Sequence, residues 1–276
     1  MSLLRVDNLR VSFPTPKGRV NVVDGVSFEL GQERLGIVGE SGSGKSMTGR
    51  AILRLIRPPG RVGGQMTFEG QDLATLTNRQ MRQVRGAKIS MIMQDPRYSL
   101  NPVMTVGAQI AEALRTHERL PRNVVKTRVR EMLEAVRIND PDRVAAMHAH
   151  ELSGGMGQRV MIAMMLIPRP RLLIADEPTS ALDVSVQGDV LTLINDLVSG
   201  SAVNPDGMGL ILISHDLPLV ARYCDRILVM NSGRVVETCA AQDLHKATHP
   251  YTRGLLAAVP QMHETRETLP VMERTT

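Results

Sequence analysis

The run Gly39–Glu40–Ser41–Gly42–Ser43–Gly44–Lys45–Ser46 sets glycines, hydroxyls and a lysine between an apolar stretch, RLGIVG, and a stretch of helical spacing. Its pattern, G-x-x-x-x-G-K-[ST], is that of a phosphate loop. Glycine lets bare N–H groups converge on phosphate oxygens, and the positive end of the following helix faces the same anion. Gly39, Ser41, Gly42, Ser43 and Gly44 are therefore expected to line a polyphosphate, with Lys45 reaching the β- and γ-phosphates and Ser46 ligating Mg²⁺. A second cluster is RLLIADEP, in which an apolar run ends in Asp176 and Glu177. At the carboxyl end of a buried strand these acids would face the phosphate. There Asp176 suits Mg²⁺, directly or through water, and Glu177 is placed to polarise an attacking water. A third cluster is LSGGMGQRV, Leu152–Val160, where Ser153, Gly154 and Gly155 precede a helical run. That is a second helix-start anion site or simply a capped helix with glycines ahead of it.

These groups need elements to hold them. LLRVDNLRVSF and NVVDGVSFEL alternate apolar and polar positions about a PTPKG turn, predicting two antiparallel strands. RLGIVG predicts a buried strand, residues 46–56 a helix, and RPPGRVGG a break. QMTFEG and AKISMIMQ read as strands flanking a short polar helix at 78–85. After Gln94 the texture turns helical in TVGAQIAEALRTH, RNVVKTRVREMLEAVRI and PDRVAAMHAHEL. Strand and helix then alternate again: RLLIADEP, a helix at 184–198, GLILISHD, a helix at 217–223, and RILVM. That alternation predicts a parallel sheet with helices packed on it. The expected divisions are 1–94, a phosphate-loop core with its antiparallel β part; 95–156, an inserted helical lobe; 157–238, the rest of the core; and 239–276, a tail.

The chain of 276 residues is long enough for a full core, and without Trp it must fill that core with its 17 Met and many Leu, Ile and Val. The net charge of +5 comes from scattered lysines and arginines with no interleaved aromatics, which argues against nucleic acid. Cys224 and Cys239 do not have a metal-ligand spacing and read as reduced thiols. No stretch reaches the length of a membrane span and MSLLRVDNLR does not read as a signal peptide. The expectation is a cytosolic chain that works at a membrane through integral partners.

The three clusters, in this order, resemble the ATPase cassette of ABC transporters: GESGSGKS as Walker A, RLLIADEP as Walker B and LSGG as the signature. Gln94 in MQDP is similar to the Q-loop, SALD (Ser180–Asp183) to the D-loop, and His215 in ISHD to the switch histidine; Phe13 stands where the family places its adenine-stacking aromatic. The resemblance implies a P-loop α/β cassette: a mixed or parallel core sheet, an N-terminal antiparallel β part and an inserted helical subdomain. It implies ATP and Mg²⁺ as cofactors and a head-to-tail dimer, in which Ser153 and Gly155 cap the γ-phosphate held by the partner's phosphate loop. In that scheme Lys45, Gln94, Glu177 and His215 serve catalysis. Gln94 senses Mg²⁺ with Ser46 and Asp176, Asp183 couples the two sites, and His215 holds the γ-phosphate and the water of Glu177.

Closer still, GESGSGKS, SLNPVMTVGAQIAEAL, HELSGGM and HPYT (His249–Thr252) resemble the ATP-binding subunits of peptide/nickel importers, the oligopeptide and dipeptide permease group. That implies uptake of peptides, nickel or metal chelates at the cytoplasmic face of the cell membrane. The implied partners are a second, homologous ATPase, two permease chains and an extracytoplasmic binding protein, with Tyr98, Leu100 and Met104 candidates for the permease groove or, equally, for the packing of the lobe's own core. Gly157 replaces the group's usual Arg, and Cys239 alone cannot hold a tail iron–sulfur cluster. The alternative is a soluble ABC ATPase of DNA repair or chromosome maintenance, against which stands the absence of sustained heptads between Gln94 and Ser153.

Overall fold

The computed structural model describes residues 2–93, 99–180, 182–200 and 205–258. Two sheets enclose the phosphate-loop helix. The first is antiparallel, built from β1 (Leu4–Thr15), β2 (Gly18–Leu30), β4 (Arg61–Phe68) and β5 (Gln71–Asp72) in the order β2-β1-β4-β5. Leu4 and Val6, then Leu9 and Val11, turn inward along β1, and a register shift between Val6 and Leu9 keeps both pairs on the buried face. The shift brings the Asn8 carbonyl so close to β4 that a Cβ on Gly64 would lie 2.4 Å from it. Here RVGG continues a strand, contrary to the expected break: its glycines accommodate a bulge and do not end the element. The hairpin turn is also tighter than PTPKG, since β1 runs through Thr15 and β2 resumes at Gly18.

The second sheet has six strands in the order β10-β9-β3-β8-β7-β6. These are β3 (Arg34–Val38), β6 (Ile89–Ile92), β7 (Leu172–Asp176), β8 (Gly209–Ser214), β9 (Arg226–Asn231) and β10 (Arg234–Ala240). All pair in parallel except β10, which folds back antiparallel on β9. Alternate side chains of the central strands serve two cores. Leu172, Ile174, Ile211 and Ile213 face the antiparallel sheet and α1 (Lys45–Ile52), whereas Leu173, Ala175, Leu210 and Leu212 belong to the core on the opposite face, which the lobe and the later helices share. Burial on both faces explains why these strands read as unbroken apolar runs. β10 escaped the sequence reading because it is an edge strand, half exposed along its length, with no alternation to reveal it.

The lobe comprises α3 (Val106–Arg115), α4 (Arg122–Ala135), α5 (Pro141–Ala146) and the first turns of α6 (Gly154–Leu166), following α2 (Asn78–Val84). Its apolar residues, among them Ile110, Leu133 and Val144, join one continuous core with the sheet. The division expected between 156 and 157 falls inside α6. Leu100 belongs to that core, 6% exposed, which decides against its candidacy for the permease groove; Met104 is half-buried, and Tyr98 lies outside the described residues. α1 ends at Ile52, four residues short of the expected end, where Arg54 takes a positive φ and its guanidinium hydrogen-bonds the Leu73 and Leu76 carbonyls. The remaining helices are α7 (Val184–Val198), α8 (Leu217–Tyr223) and α9 (Pro250–Ala257). No helix among the described residues is long and apolar enough to cross a membrane.

Candidate functional site

β3, β7 and β8 end side by side, with Val38 opposite Ser214 and Asp176 opposite Ile213. The segments leaving their carboxyl ends carry the phosphate loop, the Asp176–Glu177 pair and His215, which is where open parallel sheets bind ligands. The loop is shaped by backbone crowding. A Cβ on Gly39 would stand 2.2 Å from the Met230 carbonyl oxygen and 2.8 Å from Ser43 Oγ, so only glycine fits. We expect Gly39→Ala to cost about 1–3 kcal/mol of stability, read as a lower urea midpoint, and to abolish nucleotide retention.

Gly44 caps α1 without a side chain, so the cap residue itself does not compete for the first-turn amides. Lys45 is buried, and its Nζ donates to the carbonyls of Gly39 (2.7 Å) and Glu40 (2.8 Å) and to Ser43 Oγ (3.4 Å). Burial lowers its pKa, opposed by the nearby Glu177, Asp176 and Glu40 charges. Ser46 Oγ donates to Asp176 Oδ1 at 2.7 Å, joining the two expected metal ligands. Both are hard oxygen donors, and such small cations are held by few protein ligands plus water and phosphate, so the pair fits Mg²⁺.

Asp176 is 3% exposed, and burial raises its pKa above the ordinary value, only partly countered by Ser46, Arg50 and Lys45. An acid with a raised folded-state pKa binds more protons folded than unfolded, so stability falls as pH rises from the usual carboxylate value through the raised one. Above that window the ionised carboxyl opposes folding. Asp176→Asn should therefore raise the melting midpoint of the chain at pH 7, measured without nucleotide, by about 2–4 °C. The same substitution should weaken Mg²⁺-dependent nucleotide binding, measured by titration with and without the cation.

Glu177 follows at φ 48, a conformation uncommon outside glycine, fixed by its N–H bond to the Ile213 carbonyl at 2.9 Å. Its Oε1 lies 3.3 Å from His215 Nδ1, and the His215 ring is exposed. The structure thus gathers Lys45, Ser46, Asp176, Glu177 and His215 around one loop. Gln94 lies outside the described residues. Phe13 sits on β1 opposite Val20 of β2, half-buried, its ring edge beside Gly60 and Ile56.

The signature turn is a separate place. Ser153 caps α6, its Oγ accepting from Met156 N at 3.3 Å, and both Ser153 and Gly154 are exposed. Ser153, Gly155 and Met156 border a cleft of about 420 Å³ that also takes in Arg137, Arg143 and Arg159. Among the described residues no hydrogen bond links residues 153–155 to the phosphate loop. Asp183, exposed at the start of α7, belongs to this side: its neighbour Leu182 faces Gly154, and Val186 faces Gly155. Gly157 is buried within α6 and its N–H bonds the Ser153 carbonyl at 2.8 Å, so the helix start is intact without the usual Arg.

Sequence reasoning missed Gln158. It is buried on α6, and its Nε2 donates to the Pro178 carbonyl, tying the signature helix to the turn after Glu177. Its only signal was a polar residue on an otherwise apolar helix face.

Residues 23–180 match the family described as ABC transporter. The chain is 46% identical over 270 residues to the oligopeptide transport ATP-binding protein OppD of Escherichia coli strain K12, covering 97% of this chain and 79% of that protein. It is 48% identical over 272 residues to the dipeptide transport ATP-binding protein DppD of Haemophilus influenzae, covering 98% and 81%. The fold is similar to a dimeric structure of MJ0796, a bacterial ABC transporter cassette, with a TM-score of 0.74 and 25% identity over 86% of this chain and 98% of that one.

Proposed function

The chain belongs to the ABC transporter family, and on that premise we propose how its two half-sites work: it is the ATP-hydrolysing motor subunit of an importer, and its cargo is peptides. One observation carries the reading. A complete phosphate loop with its acids and a second, exposed helix-start site lie on one chain with no hydrogen bond between them among the described residues. Each is half of a pocket, and a second cassette facing head to tail supplies the other half, which accords with dimerisation of the MJ0796 cassette.

The loop amides of Gly39, Ser41, Gly42, Ser43 and Gly44 bind the phosphates, and Phe13 stacks on the adenine. Lys45, seated by its bond to the Gly39 carbonyl, neutralises the β- and γ-phosphates. Ser46 and Asp176 hold Mg²⁺ together with Gln94, and the cation supplies charge neutralisation at the phosphate oxygens. Glu177 orients the attacking water and accepts its proton, while His215, within 3.3 Å of that carboxylate, steadies both. Ser153, Gly154 and Gly155 cap the γ-phosphate across the dimer, and Asp183 links the two sites. ATP therefore clamps two surfaces and its hydrolysis releases them, a population shift set by ligand charge.

The partners are a second, homologous ATPase and two permease chains; residues 95–156, between the core parts 1–94 and 157–238, form the groove for a permease helix at the cytoplasmic side of the membrane, and 239–276 is the tail. An extracytoplasmic binding protein delivers the cargo. Purification from native membranes through a tag on this chain tests the assembly. Recovery of a second ATPase with two permease chains is expected, and recovery of DNA in their place overturns it.

A further inference from the structure

The tail reaches back to the phosphate loop. Tyr251, on α9, accepts a hydrogen bond through its hydroxyl from the backbone N–H of Glu40 at 3.0 Å. That N–H belongs to the same peptide unit as the Gly39 carbonyl, which accepts from Lys45 Nζ at 2.7 Å. One peptide plane is thus held from both sides, by the tail through its N–H and by the lysine through its oxygen. The glycine at 39 has no Cβ to restrain rotation of this plane, so the contacts on its two sides are what hold it. A flip would turn the carbonyl away from Lys45 and misplace the ammonium.

The hydroxyl is delivered by a built support. Glu237 on β10 accepts at Oε1 from Thr248 N (2.7 Å) and Thr248 Oγ1 (3.2 Å), fixing the approach to α9. His249 caps the helix, its Nδ1 accepting from Tyr251 N at 3.2 Å. Thr252 is fully buried, and the Tyr251 ring packs on the main core, where burial raises the phenol pKa and keeps the hydroxyl protonated.

We propose that Tyr251 is a positioning residue of the ATP site, holding the Gly39–Glu40 peptide so that its carbonyl seats Lys45 for phosphate binding. This rests on reading the loop as the ATP site. The test is Tyr251→Phe, which deletes one oxygen and keeps the ring, in the full chain and in the assembled transporter. The expected result is a rise of about 3–10-fold in the KM for ATP and in the Kd of the full chain, with kcat within about twofold. The melting midpoint measured without nucleotide should stay where it is. Wild-type KM in Tyr251→Phe, or a lowered kcat at unchanged KM, overturns the proposal. So does a lowered melting midpoint with no change in ATP affinity. A wild-type chain that binds no ATP overturns the functional reading and this inference with it, whereas wild-type binding with an unaltered variant overturns this inference alone.

Discussion

Glu177→Gln slows ATP turnover by about 10²–10⁴-fold and leaves nucleotide binding intact. The amide has the shape of the carboxylate and keeps an oxygen where His215 Nδ1 meets Oε1, at 3.3 Å, so the local geometry survives. What disappears is the capacity to take a proton from water. Lys45, Ser46 and Asp176, which bind the nucleotide and its cation, are untouched, and the φ of 48 at this position is a property of the backbone. The measurement pairs steady-state hydrolysis in the assembled transporter with equilibrium ATP binding. Because hydrolysis releases the clamp, the variant should also accumulate as the ATP-bound dimer on gel filtration. Normal turnover in the variant would show that the base lies elsewhere.

Ser153→Arg should reduce hydrolysis by at least about 100-fold, the scale on which removing one preorganised donor or blocking its seat acts. The isolated chain should bind ATP as well as the wild type. Ser153 is exposed at the rim of its cleft, so the larger side chain can turn to solvent away from Arg137, Arg143 and Arg159, and the main cost is the lost helix cap, about 1 kcal/mol. Across the dimer, an arginine would fill the space in which the γ-phosphate is capped. Parallel loss of affinity and hydrolysis in the isolated chain would mean that this turn serves its own phosphate loop, and the head-to-tail arrangement would fall. Mixing the variant with a wild-type partner cassette and counting ATP turned over per dimer separates the two composite sites.

Most of the sheet was legible because its central strands are buried on both faces and so appear as apolar runs; the helices at 78–84, 184–198 and 217–223 matched their expected spans within a residue or two. Errors gathered where burial gives no pattern. β10 lies at an edge, and the glycines within β4 mark a bulge that depends on the Asn8 carbonyl of another strand. For Leu100 the sequence left groove and core as equal readings, since a loop residue carries no periodicity to say which way it points, and its burial decides for the core.

The sequence by itself determined the chemistry: a phosphate loop, an acid pair and a second helix-start turn are local patterns, and their residue types follow from what backbone amides, ammonium and carboxylate groups do to phosphate. It also showed a second glycine-flanked helix start on the same chain, open by itself to reading as an anion site or as a plain cap. Only the tertiary structure decided which groups share a pocket. It placed Ser46 against Asp176, 130 residues apart in sequence, and His215 against Glu177, and it left Ser153 facing outward. It also brought Tyr251 of the tail to the Glu40 amide, 211 residues away. Those contacts depend on strand order and on how two layers pack, properties of the whole chain that no window of residues encodes.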